Sequence, residues 1–309
     1  MSDDKTSAAA APRKDKQGYS SGLLGQPVPA QAARPFGLAG LITGGEEDHM
    51  VIHTKEAAKL FNGSAGTKDG GIFIPGARMG ASNIRRIFVC AWRDNPYADQ
   101  ALVIFEDKAA EIAKAIAAEE RGVKALLDER AKRGMSWQLL QSKNPAKIAL
   151  GFRSPYGYSI CNLICDFDHM VLMFKTAEYR DLIASSQMRR SIQRIKTMFR
   201  RLFVFTYRAS SLLLHEGVVG ICRGDWFPDM PTTSVKRIET AKAVFAKLFV
   251  LSDDVLKLKR EPRHSSRSYI APEKEKQVFL YALEVAEQKQ NEASQVAETV
   301  VQVNTDRLM

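Results

Sequence analysis

The chain has 309 residues, of which 45 are Lys or Arg and 35 are Asp or Glu, giving a formal net charge of +10. That length holds one or two domains with a real core, and four cysteines spread over it exclude a disulfide-stapled secreted scaffold. No stretch approaches about 18 uninterrupted apolar residues, so neither a membrane span nor a membrane partner is expected, and with no basic-then-apolar leader the protein is expected in the cytoplasm.

Residues 1–45 are rich in Ala, Gly, Ser and Pro, with no sustained apolar period, and read as a flexible arm. Met50–Thr54 reads as a short strand. Thr54 then suits the N-cap of a helix over Lys55–Phe61, ended by Asn62–Gly63. Residues 62–82 are glycine-rich and read as a loop, after which Ser82 caps a helix running to about Trp92. Asn95–Pro96 breaks it, and Tyr97–Arg133 carries the pattern of a long helix closed by Gly134.

Lys147–Arg153 alternates strictly. Ile148, Leu150 and Phe152 fall on one side, and Lys147, Ala149, Gly151 and Arg153 on the other, which is the pattern of a half-buried strand with a basic or small outer face. Ser154–Pro155 follows as N-cap and first helical residue, opening a strongly apolar helix to about Phe174. A break near Thr176–Ile183 leads to another helix, with Ser185 or Ser186 as its cap. Downstream come a strand-like run at Val218–Cys222, a loop over Asp225–Pro231, a helix over Val235–Phe249 and a cap signal at Ser252–Asp254. Residues 257–272 look like a linker, and 273–309 like an amphipathic helical tail.

The helix after Ser185 is the most informative segment. Residues 182–215 hold seven Lys or Arg (Arg189, Arg190, Arg194, Lys196, Arg200, Arg201, Arg208) and no Asp or Glu. At about 100° per residue, Met188, Ile192, Ile195, Phe199 and Leu202 gather on one side. Arg189, Lys196 and Arg200 make one cationic stripe, and Arg190, Arg194 and Arg201 a second. No acidic residue lies within helical reach, so local pairing cannot neutralise them. The bland reading is a solvated face paired to acids elsewhere in the fold; the sharper one is a polyanion contact.

The order strand, helix, turn, basic helix over 147–205 is the layout of a ribbon-helix-helix module. Two copies pair their strands into an antiparallel ribbon that enters the major groove. A lone strand leaves backbone groups unsatisfied, so this reading requires a homodimer. Lys147, Ala149, Gly151 and Arg153 are then the ribbon residues that face the bases. Ser185, Ser186, Arg189, Arg190, Arg194 and Arg201 contact phosphates at and beyond the helix start. Met50–Thr54 is a rival strand, separated from its next helix by the glycine loop.

Other constellations are weaker. Cys161, Cys165 and His169 recur every four residues, but on an apolar helix that spacing reads as core, and three ligands over two turns strain to reach one ion. His264-x-x-Arg267 with Tyr269 sits in the linker, too close together for a recombinase site. No phosphate-binding loop, nucleophile elbow or paired-cysteine zinc pattern occurs. No enzymatic activity, metal or cofactor is expected.

Four blocks carry a family resemblance: Ile52–Phe61, the turn Asp94-Asn95-Pro96-Tyr97-Ala98-Asp99, the helix start Ser154-Pro155-Tyr156-Gly157-Tyr158, and Leu251–Leu256. Over about residues 50–275 the chain resembles the AcaB-like regulators of conjugative plasmids and integrative conjugative elements. The resemblance implies a DNA-binding regulator of ribbon-helix-helix type that turns on transfer genes. The expected fold is therefore mainly α with short β-strands, a domain over 46–256 containing the module, and a dimer. Its partners are double-stranded DNA and, for activation, RNA polymerase or another regulator. The rival function is a structural or interaction protein of a conjugation apparatus with a basic binding face.

Overall fold

A computed structural model describes residues 48–64, 73–152, 154–226 and 232–264, with Glu284 and Gln288. Arg153, Arg267, Tyr269, the N-terminal arm and nearly all of the tail lie outside the described residues. The elements in order are β1 (His49–Ile52), α1 (Lys55–Asn62), α2 (Ala77–Trp92), α3 (Pro96–Ala131), β2 (Ala146–Ala149), α4 (Pro155–Tyr179), α5 (Ser185–Leu213), a 3₁₀ turn (Arg223–Trp226), α6 (Thr232–Phe245) and α7 (Asp253–Leu256). The protein is mainly helical, with one small two-stranded antiparallel sheet.

Several boundaries follow directly from cap chemistry. Thr54 accepts the Ala57 N–H and starts α1, and Gly63 ends it at φ 72°, where only a glycine sits without strain. Asn95 accepts the Tyr97 and Ala98 N–H groups to start α3, with Pro96 at its first position. Ser154 and Pro155 do the same for α4, and Ser252 for α7.

The core is centred on α4, which is apolar nearly all round and therefore needs neighbours on every side. Ile160, Ile164, Phe167, Met170 and Val171 are fully buried. Helices α1, α2, α3 and α5 all pack on it. Phe167 meets Phe199 of α5 edge-on, with ring centroids 5.7 Å apart. A second aromatic cluster stacks Tyr97 on Phe245 at 4.7 Å and continues to Phe249, tying α6 to the start of α3. There Arg223, 2% exposed, binds Asp94, Asp99 and the Val255 and Leu256 carbonyls, which anchors α7.

The structure corrects five sequence readings. Helix α2 begins at Ala77, not Ser82, with Gly76 at its N-cap. The glycines there serve packing, and Gly80 lies so close to α5 that an added Cβ would sit 2.7 Å from the Phe203 ring. Helix α4 continues past Phe174 to Tyr179, because Thr176 and Ala177 are buried in its packing, and the break falls at 180–184, in the later part of the expected range. Val218–Cys222 is turn, not strand. Val218 and Ile221 are buried three residues apart, with i to i−3 backbone bonds between them, and that spacing belongs to helical turns. Neither Ser185 nor Ser186 caps α5; Ala184 holds the N-cap position without a side-chain bond. Finally, β2 pairs with β1 of the same chain, where a strand from a second copy was expected. The two rival strands are the two halves of one sheet.

Candidate nucleic-acid interface

Helix α5 is built as its periodicity dictates. Ile192, Ile195, Phe199, Leu202 and Phe203 are buried, so the opposite side must face water. Arg189, Arg190, Arg194 and Arg201 are all exposed. The second stripe, Arg190, Arg194 and Arg201, borders one open surface depression, and Arg208 continues it one period on by helical spacing.

Arg194 is the exception to free display. Its guanidinium pairs with Glu119 of α3 at 2.7 Å. No acid within α5 reaches it; the tertiary fold supplies one. The pair is exposed on the arginine side at 55%, so it contributes no more than about 1 kcal/mol and is easily exchanged for a phosphate. Arg189, Arg190 and Arg201 form no ion pair among the described residues. Ser186 is exposed, while the Ser185 hydroxyl donates to Glu178 at 2.5 Å.

The first stripe differs. Arg189 is open, but Lys196 and Arg200 are half-buried against the carboxyl end of α1. Burial and then the neighbouring Arg200 hold the Lys196 ammonium below the usual lysine range, with Lys59 adding to this and Glu56 opposing it.

In the sheet, the Leu150 N–H donates to the Asp48 carbonyl at 2.7 Å. That register sets His49 opposite Ala149 and Val51 opposite Lys147. The alternation read from sequence persists: Lys147, Ala149 and Gly151 are exposed, and Ile148, Leu150 and Phe152 half-buried. The exposed positions are thus His49 and Ala149 in one pair and Val51 and Lys147 in the other, of which only Lys147 and Ala149 were anticipated. Gly151 lies past the end of β2.

A second arginine face was missed. Residues 70–93 contain Arg78, Arg85, Arg86 and Arg93 and no acid, and at helical spacing all four share one side of α2. All are exposed, and Val89 and Trp92, at 40% and 48% exposure, lie among them. The acid-free window was legible, but the glycines before it made its first half look like loop. Arg78 lies over the Phe61 ring of α1, 5.9 Å from its centroid. Helices α2 and α5 thus both bring cations to the carboxyl end of α1.

Cys161 behaves as a core residue, while Cys165 is half-buried. Burial pushes the Cys161 thiol up to about 12. His169 pairs with Glu120 at 2.8 Å, and no metal-binding cluster occurs among the described residues. None of the described helices is long and apolar enough to cross a membrane.

These features define a mainly helical protein whose basic surfaces ride on two amphipathic helices. The chain matches the family model described as "Transcriptional regulator AcaB" over residues 43–268. It belongs to that family and is a transcriptional regulator. Among solved structures it is similar to the crystal structure of selenomethionine-containing AcaB from uropathogenic E. coli, at 10% identity and a TM-score of 0.46, covering 68% of this chain and 94% of that one. No curated protein matches the chain.

Proposed function

We propose that this regulator acts by binding duplex DNA, and that it activates conjugative transfer genes as the sequence resemblance implies. The observation that carries the DNA reading is the open flank of α5, where Arg190 and Arg201 stand exposed with no acid among the described residues paired to them. Cations displayed in this way release the counterions of a polyphosphate when they bind it, a gain that a solvated face lacks. In this reading Arg189, Arg190, Arg194 and Arg201 grip phosphates, together with the backbone at Ser185 and Ser186. The outward face of the β1–β2 ribbon, with Lys147, Ala149 and the neighbouring Gly151 and Arg153, reads base edges. One chain already supplies a two-stranded ribbon, so groove insertion no longer depends on a second copy. The homodimer stays in the proposal because a two-stranded sheet keeps an outer edge on each strand, through which a second protomer pairs. RNA polymerase or another regulator is the proposed protein partner.

The test is fluorescence anisotropy on cognate and random duplexes over a salt series. Arg190→Ala with Arg201→Ala should weaken both duplexes alike and reduce the log–log salt slope by about two, roughly one per contact. Lys147→Ala should cost about 1–3 kcal/mol on the cognate site and little on random DNA. Unchanged affinity and slope in the double arginine variant would refute the helix assignment.

A further inference from the structure

Where α1 ends, a half-open cavity of about 280 Å³ lies between that end and α5. Lys59, Ser64, Lys196 and Arg200 supply its polar lining, Leu60 and Ile74 an apolar wall, and no carboxylate of the described residues borders it. Lys59, Lys196 and Arg200 form no ion pair among the described residues. Among the described residues the acid that acts on Lys196 is Glu56, which accepts from Lys175 at 2.8 Å. It therefore offsets part of one charge out of three. The carbonyl end of α1 adds only about half a negative charge. Among the described residues the balance is cationic.

The cavity is built rigidly. Gly63 and Gly76 press backbone on backbone: a Cβ on Gly63 would lie 2.4 Å from the Ile74 carbonyl oxygen, and one on Gly76 2.3 Å from the Gly63 nitrogen. Ser64 and Ile74 exchange two backbone hydrogen bonds, of 2.8 and 2.9 Å. These contacts fix the end of α1 to the start of α2, which itself packs on α5, so the fold holds the backbones that carry the three like charges around one cavity. Like charges held at such range favour an anion that joins them. The volume sits at the lower edge of small-ligand pockets, too small for a large cofactor and ample for a phosphate ester.

The geometry points to a phosphoryl-binding site here. Lys59, Lys196 and Arg200 hold the phosphoryl oxygens, the Ser64 hydroxyl donates one further bond, and the Leu60–Ile74 wall receives the organic part. This goes beyond the DNA reading, since its side chains are not those assigned to the open flank of α5. Two sources share this chemistry, a free small phosphate ester and a backbone phosphate of DNA.

Isothermal titration of the full chain with inorganic pyrophosphate, at constant ionic strength, tests the site. Saturable one-to-one binding is expected. Lys59→Gln with Lys196→Gln should weaken it roughly tenfold or more, while Arg133→Gln, in an exposed pair with Glu129, should leave it unchanged. Circular dichroism confirms that each variant is folded, and Lys59→Gln alone, at an exposed position, should still weaken binding severalfold. Absence of saturation, or equal weakening by Arg133→Gln, would overturn the proposal. Random duplex DNA added to the pyrophosphate complex identifies the source: displacement assigns the site to backbone phosphates, and independent binding assigns it to a free ester. DNA affinity of the Lys59/Lys196 variant against that of the Arg190/Arg201 variant separates failure of this site from failure of the DNA reading.

Discussion

Asp168 is a single buried residue that joins three elements. Its carboxylate, 3% exposed, accepts from the His53 N–H and the Thr54 N–H at 2.8 Å each and from the Thr54 hydroxyl at 2.5 Å. It thereby fixes the joint between β1 and α1 onto α4. Asparagine has the same shape but turns an NH₂ toward one of these donors. Asp168→Asn should therefore lower stability by about 2–3 kcal/mol, read as a lower midpoint in urea unfolding at an unchanged slope. Cys161 offers an independent check of burial. A thiol raised to about 12 is almost wholly protonated at pH 8, and the thiolate is the reactive form. Mass spectrometry after brief iodoacetamide treatment of the native protein at pH 8 should find Cys161 unmodified, and fully modified only once the chain is unfolded.

The helices show why spacing could be read at element scale while packing could not. The period of α5 fixed which side is buried, and the exposed arginines follow from it. The approach of α2 to α5 depends on Gly80, whose meaning is invisible without Phe203 beside it. Gly80→Val places two methyls where one Cβ already meets the ring at 2.7 Å. The expected cost is about 1–3 kcal/mol or more from overpacking, measured as a lower thermal midpoint. Poor helix propensity of glycine, about 1 kcal/mol against Ala, argues the other way and loses. Strand pairing follows the same logic. Each strand's alternation was legible, but the chain contains two such strands, and only tertiary pairing told them to join each other.

At the scale of the whole molecule, the net charge of +10 is not spread evenly. It is carried outward on α5 and, less obviously, on α2. If α2 contributes to the polyanion field, Arg85→Ala with Arg86→Ala should weaken binding to random duplex DNA at low salt. The slope of log affinity against log salt should fall by up to about two. A fluorescence-anisotropy salt series checks it, and an unchanged slope confines the DNA surface to α5.

The helices, their caps at Thr54, Asn95, Ser154 and Ser252, and the sidedness of the basic helix were determined by the sequence, because they arise from contacts within four residues along one chain. The mate of each strand, the acid that reaches Arg194, the closeness of Lys59 to Lys196 and Arg200, and the helical start of α2 were decided only by tertiary structure. Each of these joins groups far apart in sequence, and no local periodicity encodes which distant surface a given side will meet.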